Sequence, residues 1–307
     1  MPKTTEQRHS SPIELEILLL PAFAADDFVS DDDLPNEVER WFDAYDFANK
    51  IDVPGANMPI QYTDDGVAIT STGMGKSAAA TTVASILASP KIDCSDMYFL
   101  SVGIAGTTPE VGTLGSVFIA DFVVDWDCKQ RWAERDDSDS ARNLQLLPYR
   151  PRDYVYRLDE ALVSSAYDRA REVELCDSEA VQELRDEYPQ KSARGKPTVE
   201  IGTTLCGDEF WHGESYSEDA QWLVKQYDAG SYATTEMEDY GTATALDRFG
   251  LLHRYLSVRS VVNFDRPHEG QTVRESLEED LGQETMGLGL ENAFRVGSRI
   301  VEGLRNG

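Results

Sequence analysis

Five clusters of residues in this chain carry the means for chemistry. The first is Thr70-Ser71-Thr72-Gly73-Met74-Gly75-Lys76-Ser77. Two glycines ahead of a helix allow close backbone approach, and the N–H groups of a helix start face an anion. The Gly-Lys-Ser ending is that of a phosphate-cradling loop, but the full pattern needs glycine where Thr70 stands. Nucleotide hydrolysis is therefore disfavoured, and a plain strand-to-helix turn with an exposed Lys76 competes with an anion seat. The second cluster is Val102-Gly103-Ile104-Ala105-Gly106-Thr107-Thr108. Glycine-rich backbone at the end of a buried strand is where open α/β sheets place ligands, and its plain alternative is a structural turn.

The third cluster is Thr234-Thr235-Glu236-Met237-Glu238-Asp239. Thr234 or Thr235 can cap a following helix, and acids suit its first turn. A carboxylate is also a natural acceptor for paired hydroxyls, and methionine makes a soft apolar floor. The fourth runs from Val258 to His268, where an apolar strand ends in Asn263, Phe264, Asp265 and Arg266. An amide, an acid and a base at a strand end read as a site, or as a turn holding a local ion pair. The fifth, Gly207-Asp208-Glu209-Phe210-Trp211-His212-Gly213, sets adjacent aromatics between glycines, as a stacking wall for a flat ring or as core packing.

These clusters need a scaffold that brings strand ends together. Apolar, β-branched runs predict strands over 13–20, 67–71, 97–102, 117–124, 199–205 and 255–262. Amphipathic segments predict helices over 34–47, 76–87, 157–187, 217–226, 238–249 and 284–304. Several strands are apolar on both faces, as in a sheet covered on both sides by helices. The alternation predicts a three-layer α/β/α architecture with a mixed central sheet. Residues 1–11 read as a loose tail and 12–307 as one domain. A charged helical excursion at about 129–196 lies beside the central sheet.

Composition narrows the partners. The 28 Lys and Arg stand against 56 Asp and Glu, a net charge of −28. Such a chain repels phosphate backbones and anionic lipid surfaces, so nucleic acid and direct membrane insertion are not expected partners. The acids are spread along the chain rather than gathered in a tail, a pattern that suits a saline cytoplasm. No run reaches the ~18 apolar residues of a membrane span, and no secretory h-region is evident. Cys94, Cys128, Cys176 and Cys206 show no CxxC spacing and read as reduced thiols.

Taken in order, the motifs resemble a known superfamily. Gly73-Met74-Gly75, Gly103-Ile104-Ala105-Gly106, Glu236-Met237-Glu238 and Asn263 follow the order of the nucleoside phosphorylases and nucleosidases. The chain more closely resembles the purine nucleoside permeases. The markers are Asn49-Lys50-Ile51, Thr72 to Lys76, Phe99 with Gly103 to Gly106, Gly112 to Val117, Gly207-Asp208 with Trp211 to Gly213, Met237 to Asp239, and Asn263 to Pro267. They cover most of residues 12–280.

The resemblance implies a nucleoside phosphorylase-like fold, a purine nucleoside as small-molecule partner and a homo-oligomer. It implies Met237 and Glu238 at the ribose, with Met74 and the Gly103, Ala105 and Gly106 backbone lining the same space. Leu205, Phe210 and Trp211 would flank the base. Asn263 would face the purine N7 and its six-substituent, with Asp265 as rival for that catalytic role. An amide there suits 6-oxopurines, and an acid of raised pKa would suit adenosine. Gly75, Lys76 and Thr107 would stand on the side of phosphate or another nucleophile. No cofactor or metal is implied, and inorganic phosphate is a candidate co-substrate. One departure matters. Bacterial phosphorylase relatives carry Gly-Asp-Pro and an Arg in the first strand-to-helix loop, another Arg before the second glycine turn and a Ser within it. Here the first loop reads Pro21-Ala22-Phe23-Ala24-Ala25-Asp26-Asp27, and Ser101 and Ile104 occupy the later positions. Phosphorolysis, hydrolysis and binding without cleavage, as in nucleoside uptake, all stay open.

Overall fold

Ten strands, most of them apolar, build one mixed sheet: β1 (Ile17–Leu19), β2 (Asn49–Ile51), β3 (Ile60–Tyr62), β4 (Val67–Ile69), β5 (Tyr98–Thr107), β6 (Val117–Asp125), β7 (Val155–Arg157), β8 (Val199–Cys206), β9 (Tyr232–Glu236) and β10 (Tyr255–Phe264). The computed structural model describes residues 11–24, 36–132, 142–149, 154–280 and 282–306. Residues 1–10 of the expected tail, the Asp26–Asp27 pair and the acid runs at 31–33 and 134–139 lie outside the described residues.

The strand order is β7-β6-β8-β9-β5-β1-β4-β3-β2. β10 lies parallel to β5 and antiparallel to β6. Because β6, β8, β9, β5 and β10 pair in succession, these five strands close into a ring. All ten positions of β10 are buried, so both of its faces are covered. Its odd positions Tyr255, Ser257 and Arg259 reach Asp239 at the start of α6 (Asp239–Arg248). Its even positions Ser260 and Val262 meet Gly289 of α8 (Gln283–Arg305). The alternation of a strand thus sets one helix on each side of the sheet, the three-layer arrangement expected from the sequence.

The long helix α8 packs on α1 (Glu39–Ala44) and α3 (Glu160–Ala170), with Gly297 admitting the buried ring of Trp41. On the other side, α2 (Lys76–Leu87) packs on α6, and Gly241 sits where a Cβ would strike the Lys76 carbonyl at 2.1 Å. The helix α5 (Glu214–Gln226) packs on β8 and β9, and α7 (Val273–Asp280) on β10.

Three local expectations are corrected. Thr234 and Thr235 lie in β9 and cap nothing. Their β-branched side chains suit the ring strand, and the carboxylate of Glu236 accepts the first helical N–H groups, from Glu238 at 2.7 Å and Asp239 at 2.8 Å. The segment 157–187 is two helices, α3 and α4 (Glu179–Asp186). Asp159 and Ser178 each cap one of them, which stops a continuous helix between. Within 129–196, β7 joins the central sheet as its antiparallel edge through Val124, Val123 and Phe122. Among the described residues no helix is long and apolar enough to cross a membrane. All four cysteines are free thiols.

Candidate functional site

The carboxyl ends of β1, β4, β5, β9 and β10 converge on a cavity of about 410 Å³, a size suited to a small organic ligand. Met74 lines its mouth and is half exposed, held on a turn in which Gly73 and Gly75 take φ of 79° and 87°. Those angles favour glycine. Ala105 and Gly106 form the wall at the end of β5, Met237 and Glu238 the wall after β9, and Asn263 the wall at the end of β10. A register shift between Val261 and Asn263 lets Val262 and Asn263 both meet the cavity. Phe210 stands exposed at the rim. Trp211 lines the cavity from behind, its ring 5.3 Å from that of buried Trp126.

Six of the expected residues lie elsewhere. Leu205 is fully buried in the core with Val124 and Trp126. Thr107 is buried and its hydroxyl donates to the Ala233 carbonyl at 2.6 Å. Asp265 is fully buried outside the cavity lining. The Ser217 and Tyr232 hydroxyls lie near its carboxyl without completing a hydrogen bond, and burial pushes it up to about 7. Gly103 is behind the wall, where its missing side chain makes room for another group described below. Gly75 and Lys76 form the start of α2, and that start is already filled. The Gly75 amide donates to Glu238 Oε1 at 3.0 Å and the Lys76 amide to Asp208 Oδ1 at 2.7 Å. The Lys76 ammonium is held by Asp125 at 2.7 Å and Asp127 at 2.6 Å. Burial works against that charge, but the two acids outweigh it and raise the lysine above its ordinary pKa.

Behind the cavity stands a group that sequence reasoning did not assemble. Arg259 is buried in β10 and is gripped by Asp239 through Nη2 at 2.5 Å and Nε at 3.1 Å. Its Nη2 reaches Glu236 and its Nη1 reaches Glu238, each at 3.3 Å. Tyr255 and Ser257 donate to the same Asp239 carboxylate at 2.9 and 2.5 Å. The fourth acid is Glu37, which comes from the loop before α1. It accepts from the Ala22 amide at 2.5 Å and the Ile104 amide at 2.9 Å. A Cβ on Gly103 would lie 2.2 Å from Glu37 Oε1 and 2.9 Å from Arg259 Nη1. Four buried carboxylates thus surround one guanidinium.

That imbalance moves protons. Burial pushes Glu37 up to about 7, against the pull of Arg259. Burial, reinforced by the charge of Asp239, raises Glu236 to about 8. Burial also raises Glu238, with Arg259 and the Gly75 amide opposing. The cavity therefore presents a carboxyl poised to exchange a proton near neutral pH beside a second one able to accept hydroxyl hydrogens. Arg259 was legible in principle, since a charge inside an apolar strand demands a buried partner. Glu37 carries no such signal, because nothing in its neighbourhood in sequence sets it apart from the other acids.

The family model for purine nucleoside permeases matches residues 15–307. The chain belongs to the purine nucleoside permease family. A probable purine nucleoside permease of Schizosaccharomyces pombe is 27% identical over 303 residues, covering 88% of this chain and 86% of that protein. The purine nucleoside permease of Candida albicans is 26% identical over 293 residues, covering 86% and 71%. Among solved structures, the fold of this permease-family chain matches a 5′-methylthioadenosine/S-adenosylhomocysteine nucleosidase from Neisseria meningitidis. The TM-score is 0.61 at 17% identity, covering 94% of this chain and 98% of that one. Futalosine hydrolase of Helicobacter pylori matches with a TM-score of 0.60 at 16% identity, covering 94% and 97%. The fold is thus the nucleoside phosphorylase-like α/β fold expected from the motifs.

Proposed function

We propose that this site cleaves the N-glycosidic bond of a purine nucleoside and uses water, not phosphate, as the nucleophile. The observation that carries the reading is Glu37, a cavity-wall carboxyl pinned by two backbone amides and brought to about 7 by burial. A base with a pKa near the working pH takes a proton from water efficiently. Glu238 accepts from the sugar hydroxyls, and Met74 and Met237 pack on the apolar side of the sugar. Bond breaking places positive charge on the sugar ring, and a wall with more carboxylates than cations stabilises it. Asn263 donates to the departing purine as negative charge gathers there.

Phosphate finds no seat of this kind. The start of α2, where an anion would accept backbone N–H bonds, is taken by the protein's own Glu238 and Asp208, and Lys76 is spent on Asp125 and Asp127. The nucleosidase and hydrolase names of the structural neighbours support hydrolysis. The permease names of the sequence relatives favour a second reading, in which the same pocket binds a nucleoside during uptake without cleaving it. Incubating the purified chain with adenosine, inosine and guanosine separates these readings. Free base released without phosphate supports hydrolysis. Release only with phosphate sinks the water assignment, and tight binding with no base released favours the uptake reading.

A further inference from the structure

The helix α2 has no cap of its own. Gly75 stands at its N-cap and carries no side chain to meet the first amides. Asp208 meets them instead, from 132 positions further along the chain. Its Oδ1 accepts from the Lys76 amide at 2.7 Å, and a Cβ on Gly75 would lie 2.9 Å from that oxygen. A carboxylate suits the positive end of a helix, and a charge-assisted hydrogen bond is stronger than a neutral one. The backbone of the same residue is also held. The Asp208 amide donates to Asp127 Oδ2 at 3.0 Å, the oxygen that holds the Lys76 ammonium at 2.6 Å.

These contacts cross the mouth of the cavity. On one side the turn before α2 carries Met74, and on the other the loop 207–213 carries Phe210 and Trp211. That loop is tied at its ends, where the Gly207 amide donates to the Glu236 carbonyl at 3.1 Å and the Gly213 amide to the Asp265 carbonyl at 2.7 Å. Neither end tie reaches the Met74 turn, whereas Asp208 bonds directly to it. From this trans cap we propose that Asp208 is a positioning residue: it sets the spacing between the Met74 turn and the Phe210–Trp211 loop, and with it the affinity for the nucleoside. The inference rests on reading the pocket as a nucleoside site. Asp208 does not line the cavity itself. The reacting groups have other holds, Glu37 on the Ala22 and Ile104 amides and Glu238 on Arg259 and the Gly75 amide. Without the cap the free protein would sample parted walls, and a ligand would have to bring them together on binding, which weakens apparent affinity. A wall touches the bound nucleoside in ground state and transition state alike, so its loosening raises KM and leaves kcat in place.

The test uses the full chain and whichever of adenosine, inosine and guanosine the parent turns over best. Asp208→Ala should raise KM by about 10-fold, the equilibrium worth of a helix cap, with kcat within about twofold of the parent. Asp208→Asn should restore KM, since its Oδ1 can accept the same N–H. Asp208→Glu keeps the acceptor and the charge but adds a methylene, which pushes the walls apart, so KM should rise again. Asp159→Ala removes the cap of α3, outside the cavity lining, and should lower the melting temperature with KM unchanged. A parent-like KM in Asp208→Ala overturns the inference and leaves hydrolysis intact, as does a fall in kcat with no change in KM. If Asp208→Ala does not fold, Asp208→Glu decides, and a parent-like KM there overturns it. If the parent binds nucleoside without cleaving it, hydrolysis fails and calorimetric dissociation constants replace KM with the same expectations. No binding of any of the three nucleosides by the parent overturns the inference together with the nucleoside reading.

Discussion

The backbone amide of Gly75 donates to Oε1 of Glu238 at 3.0 Å, across 163 positions of sequence. This contact joins the turn that looks most like a phosphate cradle to the acid assigned to the sugar, and it uses up the amide that an anion would need. Base release should therefore proceed at the same rate with and without added phosphate. Lys76→Met should leave cleavage in place and lower the melting temperature. It strands Asp125 and Asp127 as adjoining acids, a loss of about 1–3 kcal/mol for the unpaired buried side. Steady-state assays across a phosphate series, with melts of the variant, check both expectations.

Glu37 sets the pH dependence. Only its ionised form takes a proton from water, and burial holds its pKa at about 7. Turnover should rise with pH through about 7 and level off above it. Glu37→Gln should lower kcat by about 10²- to 10⁴-fold, as expected for loss of a general base, while nucleoside affinity stays close to that of the parent. A variant that turns over normally would remove Glu37 from the mechanism.

Gly103→Ala probes the same carboxyl without touching it. The added methyl would lie 2.2 Å from Glu37 Oε1, and the carboxyl cannot yield freely because the Ala22 and Ile104 amides hold it. The methyl must displace the base from the cavity wall. The expected result is a fall in kcat comparable to that of Glu37→Gln, with the fold retained by circular dichroism.

Asp265 links the fold to pH. Its carboxyl is buried and titrates at about 7 in the folded chain, against an ordinary value of 3.8. Between those values the folded state holds a proton that the unfolded state has lost, so stability falls as pH rises through the window. The full shift corresponds to a cost on the order of 4 kcal/mol above about 7. Asp265→Asn should flatten this dependence, stabilising the chain above about 7 and changing little near 4. Denaturant unfolding at both ends of the window would show it, and parallel curves for parent and variant would refute it.

Much of the architecture could be read from local pattern. The span 76–87 was legible as a helix because Ala-rich sequence follows a glycine turn, and 255–262 as a strand because Tyr255, Leu256, Val258, Val261 and Val262 outnumber Ser257, Arg259 and Ser260. β9 was not, since Tyr-Ala-Thr-Thr-Glu is half polar and becomes a strand only by pairing with β8 and β5. Within the site, Met74, Ala105, Gly106, Phe210, Trp211, Met237, Glu238 and Asn263 were named from motifs, and the structure sets all eight around one cavity. Leu205 and Thr107 were named by the same logic and point into the core, because a strand sends alternate residues to opposite faces and sequence gives no register.

The sequence by itself determined the family, the α/β class and the net charge of −28, because each depends on composition or on contiguous motifs. Only the tertiary structure decided which charges meet. Glu37, Glu236, Glu238, Asp239 and Arg259 come from three separate segments, and Lys76 is drawn to Asp125 and Asp127 instead of to the cavity. The raised pKa values of Glu37, Glu236 and Glu238 follow from burial and from distances of a few ångströms. Both are properties of the folded chain, and they set the chemistry of the site.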